Sequence, residues 1–318
     1  MSSSFLLYLL RRALWTVPTL LLVAVLVFVL MRLIPGDPAQ LILGDAGTAE
    51  QLADLRAQFG LDKPILVQFG LWLSHMASGD FGHSLSSGEA VLPLLLERFQ
   101  VSAAIVLVAV GAATLLAVPA GLFAAWKQNS LTDTVIVAGA TFFLSIPSFW
   151  LGLLLLLFVG LKLGWVPVVG YVTFSQDWRA AASYLVLPVI TLTLIEMGVL
   201  TRMARSSAIE TLRLEYVTHA RAKGLSELRV LLRHVLPNAF APTWTLIGLV
   251  LGNLLGGIAV LETVFTLPGL GRLLVDAIFA RDYPVVQGCL LFTAGIYVLV
   301  NLVVDLFYPL FDPRVATS

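Results

Sequence analysis

The sequence predicts an all-α integral membrane protein with about six transmembrane helices, since a hydrocarbon core about 30 Å thick takes roughly 20 apolar residues per helix. Three observations carry that expectation. The chain of 318 residues is 59% hydrophobic and only 12% charged, against about 25% charged in a soluble domain. Its mean hydropathy is +0.95. Long apolar runs recur at 13–31, 99–126, 134–161, 180–201, 239–261 and 283–304. A formal net charge of +0 gives no bias towards nucleic acid, so charge must act through its placement. The one cysteine, Cys289, excludes an intrachain disulfide framework and reads as a small packed side chain.

The first run follows Arg11 and Arg12. It is longer than the roughly 7–15 residues of a signal-peptide core and no small-residue cleavage site follows, so it is read as an uncleaved span. Basic residues near span ends stay in the cytoplasm. With the N-terminus inside, the cytoplasmic segments carry Arg11, Arg12, Lys127, the series Arg202, Arg205, Arg213, Arg221, Lys223, Arg229 and Arg233, and Arg314. Even-numbered crossing then places both termini in the cytoplasm. The chain divides into a first helix with an extracytoplasmic segment (1–98), a transmembrane core with a cytoplasmic loop at 202–238 (99–309), and a short tail (310–318).

After the first span, Leu33-Ile34-Pro35-Gly36-Asp37-Pro38 must stop the helix, because proline removes a donor and restrains its neighbour. In the external segment Thr48 with Gln51 forms a capping-box pattern, and Leu52, Leu55 and Phe59 fall on one face of the helix it opens. From Pro64 to Met76 an apolar, tryptophan-containing pattern resumes, ahead of Gly79-Asp80-Phe81-Gly82-His83-Ser84. The second and third spans are joined by Lys127 to Asp133, short enough to make them antiparallel neighbours. Pro147, within the third, frees a backbone group in mid-membrane. Ser145 and Ser148 either re-satisfy that group or line a pathway, and rescue is the better reading.

Glu196 is a carboxylate well inside an apolar run. Such a group is a functional-site hypothesis by default, unless it lies near the cytoplasmic end and pairs with Arg202 or Arg205. Gly252-x-x-x-Gly256 in the fifth span permits close helix approach. Glu262 follows at the external edge. The glycines of Phe265 to Gly271 do not sit in a strand-to-helix turn, so they give no support to nucleotide binding. The last span ends at Asp305, and Pro309 and Pro313 close the chain.

The wettest stretch runs from Glu215 to Asn238. Ile209, Leu212, Tyr216 and Ala220 fall at helical spacing, which continues the fourth span as an amphipathic helix. Gly224 stands where a C-cap or tight turn belongs. Leu228, Leu231, Leu232 and Val235 form the apolar face of a second helix, ended by Pro237. Basic residues there suit an anionic leaflet, at about 1 kcal/mol each. The small residues Ala220, Ala222 and Gly224 suit the close approach of another protein.

These residues resemble a family. Thr218-His219-Ala220, Gly224 and Leu236-Pro237 match the spacing of the EAA loop of bacterial ABC-importer permeases. Ala220 to Leu225 with His234 and Asn238, and the external stretches 34–38, 60–64 and 79–84, resemble the B-type subunit of the dipeptide/oligopeptide branch. Thr218 occupies the place of the loop's namesake glutamate and His219 that of its first alanine. The resemblance implies a type I importer fold in the bacterial inner membrane, forming half of a translocation pathway for di- or oligopeptides, or within the same family for glutathione or a metal chelate. It also implies a second permease, two cytoplasmic ABC ATPases and an extracytoplasmic binding protein as partners. Thr218, His219, Ala220, Arg221, Ala222, Lys223, Gly224 and Leu225 would then couple to an ATPase, and Asp62 and Asp80 would meet the binding protein.

No cofactor is expected on this chain. It has no Gly-x-x-x-x-Gly-Lys-Ser/Thr loop, so ATP and Mg would be used by the partner ATPases. His75, His83, His219 and His234 lack metal-ligand spacing. Two rival classes both rest on Glu196. An intramembrane enzyme would need Asp305 or a histidine at the same depth, and a secondary transporter would move protons through the carboxylate.

Overall fold

The computed structural model describes residues 3–33, 48–58, 60 and 62–311, and among them every regular element is helical. The breaker residues 34–38, the side chains of Arg12, Leu55 and Phe59, and Pro313 and Arg314 lie outside the described residues. The helices are α1 (Ser3–Leu33), α2 (Ala49–Gln58), α3 (Ile65–Ala77), α4 (Val91–Trp126), α5 (Leu131–Ser145), α6 (Ser148–Leu155), α7 (Trp178–Leu212), α8 (Glu215–Ala222), α9 (Glu227–Val230), α10 (Leu236–Gly257), α11 (Ala259–Val264), α12 (Leu270–Ala280) and α13 (Tyr283–Phe307). Five helical stretches are long and apolar enough to cross a membrane, and the bent pair of α5 with α6, which runs on to Lys162, makes up to six.

The parallel pair α4 and α7 forms the centre, with Ala109 meeting Thr193 and Gly121 meeting Thr201 further along both helices. α4 has 36 residues, about 54 Å at 1.5 Å per residue, so it projects beyond the hydrocarbon on at least one side. Helices in lipid gain no hydrophobic drive from one another and associate through close packing of small residues. A Cβ on Gly121 of α4 would stand 2.7 Å from the carbonyl of Thr201, and one on Gly198 of α7 would stand 2.5 Å from that of Ala140. Both positions therefore need glycine. Around them Ile105, Val106, Ala109, Ala113, Leu192 and Leu200 form the main core, which Ile247 and Val250 of α10 complete.

Several expectations hold in the geometry. The Thr48 amide donates to Gln51 Oε1 at 3.0 Å and the Gln51 amide to Thr48 Oγ1 at 3.3 Å, closing the capping box. Gly252 lies against the Tyr297 ring and Gly256 against Thr293, so the glycine repeat seats α10 on α13. Cys289 is fully buried.

Three expectations are corrected. The third span is two helices bent by 95°, not one rod. Pro147 caps α6 instead of lying within a helix. Ser145 donates to the Thr141 carbonyl at 2.8 Å, while the Phe143 carbonyl four residues before Pro147 accepts from Ile146 N–H at 3.3 Å. Pro237 does not end the second cytoplasmic helix either. α9 passes through a wide-wound turn at Leu231–Val235 straight into α10, with Pro237 as the second residue of α10. The fifth span accordingly stops at Gly257, and α11 is separate. Finally, α7 and α8 are not one helix. The chain turns at Arg213 and Leu214, so Ile209 and Leu212 lie on one element and Tyr216 and Ala220 on the next.

Candidate functional site

The cytoplasmic end is built on a second apolar cluster. Leu122 and Ala125 end α4, Ala208 comes from α7, Val217 and Ala220 from α8, and Val230, Leu231, Val235 and Ala239 from the entry to the fifth span. Ala220 is therefore a core residue of this cluster, 6% exposed. It does not stand on the outer surface with its neighbours. Thr218, His219, Arg221, Ala222, Lys223 and Gly224 are exposed, and Leu225 is half-buried.

Gly224 has φ +79°, the left-handed region that L side chains rarely adopt, and a Cβ there would meet nothing within 4 Å. The turn is stapled across its base. Arg221 donates to Glu227 through Nε at 2.9 Å and Nη2 at 3.2 Å. Beyond it, Leu228 is 67% and Leu232 54% exposed. Both were expected on the buried face, but only Leu231 and Val235 of that set lie inside the cluster. His234 and Asn238 meet each other, with Asn238 Nδ2 donating to the His234 carbonyl at 2.8 Å.

Behind this surface lies a feature that the charge pattern did not disclose. Arg205 of α7 donates to both oxygens of Asp133, at 2.6 and 2.7 Å, and Asp133 is almost fully buried. Asn129 N–H adds a third bond to the same carboxylate at 3.0 Å, from a left-handed residue at φ 64°. Arg205 is thus taken, and the pairing of Glu196 with it, one of the two readings of that carboxylate, does not occur. Glu196 sits near the middle of α7, half-buried, with no ion pair to Arg202 or Arg205. A signal for the real pair was present: Asp133 is the one acidic residue in the first turn of α5.

On the opposite face, Asp282 accepts from Ser84 Oγ at 2.6 Å, Ser86 Oγ at 3.0 Å and Ser86 N–H at 3.2 Å. Burial alone pushes this carboxyl up, but the bonds from Ser84, the Leu85 backbone and Ser86 outweigh it and hold it below the usual aspartate value. The contact ties the external loop to the start of α13. Asp80, a candidate for docking, accepts from Gly82 N–H at 3.0 Å and shapes that loop while remaining exposed. With His75 and His83 it lines an external cavity of about 710 Å³. Asp62 is exposed in the turn before α3.

A fully buried carboxylate, Glu262, was seen in the sequence only as an edge residue. It accepts from Ser102 Oγ at 2.5 Å and from Arg272 N–H at 2.8 Å, while Ser102 Oγ accepts from Leu270 N–H at 2.8 Å. One acid of α11 and one hydroxyl of α4 thereby satisfy the free donors that open α12.

Comparison with known proteins places this architecture. Residues 117–317 match the family model described as the binding-protein-dependent transport system inner membrane component, and residues 5–106 match its N-terminal companion. The chain is 38% identical to a dipeptide transport system permease protein of Alkalihalophilus pseudofirmus, over 97% of this chain and 98% of the relative. It is 42% identical to a glutathione transport system permease protein of Salmonella typhi, again over 97% and 98%. A bundle of five to six apolar crossings, matched along nearly its whole length, leaves one assignment: the chain belongs to the family of inner-membrane permease components of binding-protein-dependent ABC transport systems.

Proposed function

We propose that this chain is one of two permease subunits of an ATP-driven importer of small peptides, and that the turn around Gly224 transmits ATPase closure to the spans. The observation that carries the coupling role is the stapled left-handed turn. Gly224 projects from a buried base, held by Arg221 and Glu227, with exposed Leu228 and Leu232 beside it and Lys223 on its rim. Apolar side chains left in the cytoplasm beside basic ones suit a protein groove better than a headgroup layer alone. The α8 helix that bears the turn rests on α4, α7 and the fifth span together. A push on it is thereby delivered to three spans at once.

The peptide substrate is supported by the names of relatives that align over almost the entire chain, one of them for dipeptides and one for glutathione, itself a small peptide. The full assembly in this reading adds a second permease, two ATPases that use ATP and Mg, and an extracytoplasmic binding protein, with no hydrolysis by this chain. The test is a pull-down of the ATPase with detergent-solubilised permease. Gly224→Asp is expected to abolish ATPase association and transport while membrane insertion stays intact. Undiminished ATPase binding by that variant would sink the coupling role.

A further inference from the structure

A cavity of about 270 Å³ opens where the outer part of α4 meets the amino end of α12, lined by Arg98, Pro268, Gly269, Arg272, Leu273 and Asp276. It is roomy enough to take one end of a small molecule. Two guanidinium groups wall it. Arg98 Nε is shut off from solvent and has no hydrogen-bond partner among the described residues. A buried donor left unpaired is costly, so the site is incomplete as it stands.

The neighbouring acids do not supply what Arg98 lacks. Glu262, behind Gly269, spends its oxygens on Ser102 and on the Arg272 amide. Asp276 stands 3.7 Å from Arg272 Nε and is 67% exposed, an arrangement that binds weakly. The wall is therefore cationic and under-committed. A planar guanidinium matches the two oxygens of a carboxylate, and a second guanidinium close by strengthens that preference. Arg98 lies about 10 Å from the outer end of α4, counting 1.5 Å per residue from Val91. Substrate released by an extracytoplasmic binding protein would arrive on that side.

We propose that this cavity is an entry subsite for the C-terminal carboxylate of the transported peptide, gripped by Arg98 and steered by Arg272. The proposal rests on the peptide reading above. It makes the permease, and not only the binding protein, discriminate between a peptide acid and its amide.

The test uses the complete importer, reconstituted in vesicles with its binding protein, and compares uptake of a peptide with uptake of its C-terminal amide. A version of the same peptide with a photoreactive C-terminal residue reports where that end rests. With the native chain, adducts are expected on Pro268 or Leu273. Arg98→Gln is expected to raise the half-saturating concentration of the acid about tenfold, to leave any amide uptake within about twofold, and to abolish those adducts. Arg98→Lys is expected to recover only part of the acid uptake. Equal effects on acid and amide, or adducts elsewhere or unchanged by Arg98→Gln, would overturn the site and point to an acidic side chain of the delivery protein as the partner. If the native assembly takes up no peptide at all, the peptide reading fails and this inference with it.

Discussion

Arg205 grips Asp133 through two parallel hydrogen bonds, at 2.6 and 2.7 Å, and so locks the cytoplasmic half of α7 to the first turn of α5. The Arg205 side chain is 25% exposed and that of Asp133 only 6%. Removing one partner leaves the other charged and poorly solvated, which typically costs about 3–5 kcal/mol. Asp133→Asn and Arg205→Gln are each expected to lower the thermal unfolding temperature of the purified protein clearly. The double variant should be no less stable than the worse single one, because the uncompensated charge is gone. Additive losses would show that the two residues act separately.

The Asp282 anchor predicts a pH dependence. Its folded-state pKa is lowered by the bonds from Ser84 and Ser86, so its contribution is fully present above the unfolded value, about 3.9. It is lost as pH falls through the lower folded value. Asp282→Asn should therefore be less stable than the native chain at pH 7, and the difference should shrink below about pH 4. A difference that stays constant down to pH 3 would mean that the carboxylate charge plays no part.

Much of this was legible in the sequence, and the failures share a cause. Span count, the capping box at Thr48, the glycine contact at Gly252 and the turn at Gly224 are local signals, set by composition or by a single backbone conformation. What could not be read was how a proline would be absorbed. Pro147 breaks its span through 95°, whereas Pro237 is carried smoothly because a wide-wound turn precedes it. The same chemistry at the residue gives opposite outcomes according to the hydrogen bonds around it. The partners of Arg205 and Glu262 were equally hidden, since Asp133 and Ser102 lie far away in the chain and only packing brings them near. For the cytoplasmic site the sequence located the turn at Gly224, but it put Leu228 and Leu232 on the buried face and could not tell that Ala220 faces inward.

Gly269 is fixed by Glu262. A Cβ at Gly269 would collide with the Glu262 carboxyl, which is itself held by Ser102 and the Arg272 amide. Gly269→Ala is expected to destabilise the protein by about 1–3 kcal/mol through overpacking, read as a lower unfolding temperature in detergent. Since the three nearest atoms all belong to that carboxyl, Gly269→Ala should add little once Glu262→Ala has removed it. A second loss of the same size in the double variant would show that the glycine is required for some other reason.

At Gly224 two demands can be separated by substitution. The φ of +79° penalises any side chain by strain, and no described residue beyond its chain neighbours stands within 4 Å of a Cβ placed there. Alanine in the left-handed region costs about 1–2 kcal/mol, and asparagine less, because its short polar side chain bonds locally. Thermal stability should therefore rank Gly224→Asn above Gly224→Ala. If an ATPase groove closes over the turn, association should rank in the reverse order, because asparagine is the larger intruder. Unfolding temperature and ATPase pull-down, measured on the same two proteins, give the two rankings. Parallel rankings would assign the glycine to folding alone, and crossed rankings would place the partner directly against it.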